Sequence, residues 1–440
     1  MDKRFFYKQM GTFVVPITLQ LLITSGLSTI DSLMVGRLGV TAIASVGIAN
    51  KIIQFIIVFL QGISSGATIF ASQFYGKKEM NGFRVALRLI CFLSLIISLI
   101  FAIFILFFSN NLVRLFTSSS VVMEKSAQFL MIQAITFPFI ALTMIMTVGL
   151  KSIGEVKIPT FFALITLVCN TSLNGILIYG MLGSPKLGIT GAAIATLISR
   201  CLQFILIFLF AKKKKILNND TYDQKRAFII NFMQVTAPAL INHLTWTLGD
   251  MVFFLIFSKV STQMTASVSL IDPLVFIFTC IYTGISDASS VMIGQLLGAK
   301  KYDLCKLYAK NFIKITFVAS IISALLIFSF SPFLIKLYHL DPETTLLTKR
   351  LLAIYASLII FKNLNYINNV GILRIGGDTK FVMWLDTIAV WCISIPLCIF
   401  SLVHNYPAPY IYLFALSHEI IRCIVGVYRT FSYKWIRTLI

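Results

Sequence analysis

Charge is what this sequence has least of. Of its 440 residues only 12% are charged, whereas soluble domains carry roughly a quarter, and 58% are hydrophobic, with a mean hydropathy of +0.91. So thin a polar coat excludes an ordinary soluble enzyme or binding domain. Histidine is nearly missing as well, at four residues. The eight cysteines (Cys91, Cys169, Cys201, Cys280, Cys305, Cys392, Cys398 and Cys423) fall almost entirely in apolar segments without CxxC spacing or clustered His partners. They read as small core residues, so neither a disulfide framework nor a zinc site is indicated. The run His418-Glu419-Ile420-Ile421-Arg422 starts like HExxH but has Arg422 where the second His is needed, and no metal site is assigned. No Walker lysine motif occurs, and Gly376-Gly377 has no phosphate-loop context, which argues against ATP as the energy source.

What is there is a succession of apolar stretches, near 10–36, 42–73, 84–108, 122–149, 158–181, 187–211, 228–257, 263–293, 307–331, 343–372, 380–403 and 409–430. A span needs about 20 apolar residues, so these predict an all-α integral membrane protein of twelve transmembrane helices with no soluble domain left over. Bends are expected at Pro16, Pro138, Pro159, Pro238, Pro273 and Pro396. The first stretch reads as a span, not a removed signal peptide, because no small-residue cleavage site follows it.

The net charge of +21 would suggest nucleic acid in a soluble protein. Here the cations sit in short connections: the N-terminus, Lys77 to Arg88, Lys151 and Lys157, Lys212 to Arg226, Lys300 to Lys310, Arg374 and Lys380, and the C-terminus. These hold about 24 Lys and Arg against about 8 in the alternate connections, which predicts a multi-pass plasma-membrane protein with both termini cytoplasmic and no nucleic-acid partner.

An internal repeat follows. Gly62-Ile63-Ser64, Gln73, Gly76 and Lys78 recur as Gly284-Ile285-Ser286, Gln295, Gly298 and Lys300, at a constant offset of 222. Ala44-Ser45-Val46 and Leu112 to Phe116 meet Ala266-Ser267-Val268 and Leu334 to Tyr338 at the same offset, and Lys151 to Lys157 meets Arg374 to Lys380 shifted by one. The division expected is an N-terminal six-helix bundle (1–211), a cytoplasmic linker (212–226) and a C-terminal six-helix bundle (227–440). Six spans per half make the repeats parallel, an arrangement that places a substrate site near the midplane between two bundles.

At these motifs the sequence resembles the multidrug and toxic compound extrusion family of secondary transporters over nearly its whole length. The resemblance rests on Ile30 to Gly39, the Gln73-Phe74-Tyr75-Gly76 and Gln295-Leu296-Leu297-Gly298 loops, Leu150 to Lys157, Asn170-Thr171-Ser172-Leu173-Asn174, Leu187 to Thr196 and Leu373 to Lys380. It implies a V-shaped pair of six-helix bundles, and efflux of amphipathic, often cationic compounds in exchange for protons or sodium ions. It also implies that the span 1 acid, here Asp31, takes part in ion coupling. The proton-coupled bacterial branch usually has an acid four residues after the span 5 Asn; this chain has Asn170 and Asn174, which leaves the coupling ion open.

Six acids fall within apolar segments: Asp31, Asp250, Asp272, Asp287, Asp386 and Glu419. Each needs a partner, a water-filled cavity or a bound proton. Asp31 and Asp250, late in the first span of each half, are read as ion-coupling carboxylates or as structural hydrogen-bonding groups. Asn170 and Asn174 share one helical face, able either to serve Asp31 or a sodium ion or to join helices. Asp378 lies in a motif whose carboxylate the resemblance implies is important in the sodium-coupled branch, with a loop cap as the other reading. Asp272 and Asp287 are placed in the substrate cavity, with local capping or a Lys partner as the other reading. His243 and Trp246, three apart near Asp250, are read as a cation-binding face or as core.

The function expected is secondary efflux by alternating access, with a small-molecule substrate and membrane lipids as partners, a monomer, no cofactor beyond the coupling ion and no enzymatic role. The alternative is a flippase for a lipid-linked sugar or similar lipid precursor. It is disfavoured because a diphosphate would call for Arg and Lys in the spans, and the ionisable residues there read as mostly acidic.

Overall fold

The computed structural model describes residues 3–218, 220, 225–336 and 341–440, and among them every regular element is helical. The first half runs α1 (Lys3–Gly36), α2 (Val40–Gly76), α3 (Met80–Arg114), α4 (Ser120–Ala134), α5 (Phe137–Ser152), α6 (Lys157–Tyr179) and α7 (Gly188–Lys213). The second runs α8 (Lys225–Val260), α9 (Thr262–Gly298), α10 (Tyr302–Lys336), α11 (Pro342–Tyr366), α12 (Thr379–Thr387), α13 (Ile395–Val403), α14 (Ala408–Ala415) and α15 (Ser417–Phe431). Among the described residues, eleven helical stretches are long and apolar enough to cross a membrane. The pair α4 and α5, bent by 44°, makes the twelfth. The bend falls where Pro138 stands at the start of α5 and withholds a backbone donor.

Two widened, π-helical turns interrupt the second half, at Ile367–Leu373 after α11 and at Ile388–Ser394 between α12 and α13. The second precedes Pro396, whose missing N–H breaks the ordinary ladder. The first closes with Arg374 N on Asn369 O at 3.1 Å and turns a row of asparagines inward: Asn365, Asn368 and Asn369 are all buried.

The repeat seen in the residues is present in the backbone. Lys78 (φ 62°) and Lys300 (φ 55°) take the left-handed conformation at matching ends of α2 and α9. Each is followed by the six-to-one bond that closes a helix C-terminus, Glu79 N on Phe74 O at 3.1 Å and Lys301 N on Leu296 O at 2.9 Å. Gly154 (φ 90°) and Gly377 (φ 83°) repeat the device after α5 and after the first π turn, with Glu155 N on Leu150 O and Asp378 N on Leu373 O. Glycine meets that conformation without a Cβ penalty.

Contacts divide the chain into two compact units: Val15–Tyr75 with Glu79–Phe228, and Met1–Val14 with Gly76–Lys78 and Ile229–Ile440. In the second, Phe6 near the start of α1 packs edge-on to Tyr308 and Phe312, with ring centres 4.7 and 5.2 Å apart. The helices are greasy outside as well as inside; on α3 alone Phe92, Ile100, Ile103 and Phe107 are exposed by 52% or more. In water such a face would drive aggregation, whereas in a bilayer it meets its own solvent. The chain is a multi-pass membrane protein.

Candidate functional site

In the N-terminal unit the site begins with small residues. Gly191, Ala192, Ala193 and Ala195 open α7 and are buried. A methyl group on Gly191 would sit 2.5 Å from the Leu177 carbonyl oxygen, so only glycine lets α7 lie this close to α6. That approach brings the polar side chains of the two helices into contact. Asn170 Nδ2 reaches the hydroxyls of Thr196 (3.4 Å) and Ser199 (3.3 Å). Asn174 Nδ2 donates to Asn170 Oδ1 at 3.2 Å and to the Asp31 carboxylate at 2.5 Å. Tyr179 further ties α6 to α1 through the Met34 carbonyl, at 2.7 Å.

The cluster thus gathers Asp31, Asn170 and Asn174 and adds Thr196 and Ser199 from α7, with Arg200 one turn beyond Thr196. Asn170 and Asn174 are fully buried. The Asn174 Oδ1 and Arg200 Nε atoms are buried and make no hydrogen bond among the described residues. Arg200 donates to Gln203 Oε1 at 3.1 Å and interacts electrostatically with Asp31. Sequence reasoning missed Arg200 because it searched the spans for acids; a lone Arg within an apolar run was signal enough.

The C-terminal unit holds a larger buried network. Arg422 of α15 donates to Asp386 of α12 at 2.6 Å and to Glu419 at 3.1 Å. Asn242 Nδ2 donates to Asp386 at 2.8 Å, Asn369 Nδ2 to Asp386 at 3.2 Å, and Asn365 Nδ2 to Glu419 Oε2 at 2.7 Å. Arg374 donates to Asn242 Oδ1 and to His243 Nε2, the latter at 3.0 Å. Trp246 lays its ring over the Arg422 guanidinium, 4.6 Å from the ring centre, and meets the His418 ring edge-on. Four charges of alternating sign, all less than a tenth exposed, are thereby knitted together by α8, α11, α12, α15 and the first π turn.

Two readings change here. Arg374, counted above among the loop cations, is 4% exposed and belongs to this network, because the π turn carries the chain inward before the Gly376-Gly377 corner. The spans are not acidic alone either: Arg200, Arg374 and Arg422 stand in or beside them together with Asp31, Asp250, Asp287, Asp386 and Glu419. His243 and Trp246 are committed to Arg374 and Arg422 and are not grouped with Asp250, which is exposed and has no hydrogen-bond partner among the described residues.

The remaining candidates are dispersed. Asp378, 7% exposed, stands just before α12 without a side-chain capping bond and grips Arg429 through both its oxygens, at 2.7 and 3.2 Å. Its first-half counterpart Glu155 pairs with Lys214, just past α7, so each half ties the same loop to the end of its sixth span. Asp287 is half-buried on α9 beside Ser286, whose hydroxyl bonds the Tyr366 carbonyl at 3.3 Å. The Asp272 side chain lies outside the described residues.

Comparison with known proteins agrees with this architecture. The MatE family model matches residues 16–176 and 238–400, one copy per half. The probable multidrug resistance protein YoeA of Bacillus subtilis is 26% identical over 90% of this chain and 87% of its own length. The uncharacterized transporter YisQ of the same organism is 25% identical, covering 96% and 93%. Among solved structures, the bent form of the Vibrio cholerae MATE transporter VcmN superposes with a TM-score of 0.88 at 18% identity, over 97% of this chain and 97% of that one. Twelve spans in two repeated halves, matched twice by one family model, make this chain a member of the MatE family of multidrug and toxic compound extrusion transporters.

Proposed function

We propose that the chain exports amphipathic small molecules across the plasma membrane by alternating access, in exchange for a proton or sodium ion, with Asp31 as the coupling carboxylate. One observation carries this reading: Asp31 stands in a membrane helix, accepts a hydrogen bond from the neutral Asn174 amide and has no direct ion pair among the described residues. A carboxylate at membrane depth costs about 3 kcal/mol on insertion scales, and one hydrogen bond to a charged group returns about 1.5–3 kcal/mol. The group is therefore sheltered yet free to exchange a cation. The names of relatives such as YoeA lend support to drug-like substrates. His243, Trp246, Asp272 and Asp287 remain the proposed substrate contacts, Asp250 and Asp378 the further coupling candidates, with both termini cytoplasmic and the chain monomeric.

The flippase reading gains from the three arginines within the helices. It loses because each is offset: Arg200 faces Asp31, and Arg374 and Arg422 are matched by Asp386 and Glu419. None of these three is left over for a diphosphate. Flux of a lipophilic cation from proteoliposomes, under separately imposed proton and sodium gradients, tests the proposal. Asp31→Asn is expected to abolish gradient-driven export; equal export by both proteins overturns the assignment.

A further inference from the structure

We infer that His243 meets its substrate as a neutral hydrogen-bond donor, so that the substrate group it recognises is an acceptor oxygen and not a cation. This rests on the export reading, in which His243 is a substrate contact, and names the chemistry of that contact.

The state of the ring is set by its neighbour. A guanidinium carries five N–H groups and no lone pair, so it can only donate. Arg374 Nη1 lies 3.0 Å from His243 Nε2, and that nitrogen must therefore accept. An imidazolium has no nitrogen able to accept, and the Nε2–H tautomer keeps its lone pair on Nδ1 instead. What is left is the neutral ring with its proton on Nδ1. The guanidinium is itself fixed in place. It also donates to Asn242 Oδ1, the Asn242 amide donates to Asp386 at 2.8 Å, and Asn242 and Arg374 are 2% and 4% exposed. One side chain from the end of the π turn thus grips two adjacent residues of α8.

The other edge of the ring is open. His243 is half-buried, and among the described residues its Nδ1 has no hydrogen-bond partner. A group meeting that N–H has to bring a lone pair. A cation there finds no acceptor and stands beside the positive charge of Arg374. Trp246, three residues on, does not reverse this, because Arg422 already lies over its ring, 4.6 Å from the centre, and fills one face with a resident cation. The nearby carboxylates are engaged: Asp386 accepts from Arg422 and Asn242, and Glu419 from Arg422 and Asn365. Asp250, the only acid of α8, lies two turns farther along it, roughly 10 Å away along the axis.

Two measurements test this. Nitrogen NMR of the full chain in detergent, with isotope-labelled histidine, reads the tautomer; the His243 signal is assigned by its loss in His243→Phe. The expected result at neutral pH is a proton on Nδ1 and a bare Nε2. An Nε2–H ring or an imidazolium overturns the inference. The second measurement is flux from proteoliposomes of two matched lipophilic amines, one bearing a ketone where the other has a methylene. Wild type is expected to export the ketone with a KM about fivefold to tenfold lower, the worth of one hydrogen bond. His243→Phe should equalise the two. His243→Gln should keep the preference, since its amide oxygen can take the Arg374 N–H while its own N–H stays available. Equal KM values in wild type, or a preference that survives in a folded His243→Phe, overturn the inference. If neither amine moves under a proton or a sodium gradient, the export reading fails and takes this inference with it, while the tautomer measurement stands apart.

Discussion

Asn174 donates a 2.5 Å hydrogen bond to Asp31, joining two helices whose residues stand 143 positions apart in the chain. The amide supplies the carboxylate with a donor without supplying a charge. Removing it by Asn174→Leu leaves Asp31 without that hydrogen bond. Gradient-driven flux is expected to fall at least tenfold, and thermal stability in detergent to drop by about 1.5–3 kcal/mol, the value of a bond to a charged group. Unchanged flux and melting temperature would show that the contact does nothing.

Gly191 sets the distance between α6 and α7. Gly191→Leu places a branched side chain against the Leu177 carbonyl and must push the helices apart. The expected result is loss of transport with the protein still inserted. A proximity readout follows it: cysteines introduced at Asn170 and Thr196, whose side chains touch at 3.4 Å, should cross-link in the Gly191 protein and not in the variant.

In the C-terminal unit the Arg422 and Asp386 pair is buried, at 2.6 Å. Breaking such a pair from one side strands a charge and costs about 3–5 kcal/mol. Arg422→Met and Asp386→Leu are each expected to destabilise the protein to that extent, and the double variant by clearly less than their sum. Simple additivity in a double-mutant cycle measured by thermal melting would remove the pair from the account.

The Asp378 and Arg429 clamp holds the loop before α12 to the end of α15. Asp378→Asn weakens it. The charge-swapped protein Asp378→Arg/Arg429→Asp is expected to recover part of the lost flux if the clamp alone matters. If position 378 needs a carboxylate for ion coupling, the swap fails while the protein stays as stable as wild type.

Asp341 caps α11: its side chain accepts the Thr344 N–H at 2.9 Å, and that hydrogen bond holds its carboxyl below the usual carboxylate range. A group depressed in the folded state stabilises it above the unfolded pKa, about 3.9 for Asp. That stabilisation is lost as pH falls through the folded value. Asp341→Ala should therefore melt lower than wild type near neutral pH, with the gap closing in acid. A gap independent of pH would assign the effect to something other than the charged cap.

How legible was all this in the residues? Apolar length and the scarcity of charge dictated a many-span helical membrane protein, since hydrocarbon leaves a backbone few other ways to satisfy its hydrogen bonds. The repeat was written in turn chemistry, where Lys78 and Lys300, and Gly154 and Gly377, end helices in one conformation. Asp31, Asn170 and Asn174 stood out because a polar side chain in an apolar run needs a reason. What the sequence could not settle was partnership. Arg374 looked like a loop cation until a π turn rotated it inward, and Arg200 acquired its meaning only when Gly191 brought α7 against α6. Pairing of that kind depends on which helix faces which, and at what distance, and distance between segments far apart in the chain is a property of packing that no local pattern of residues encodes.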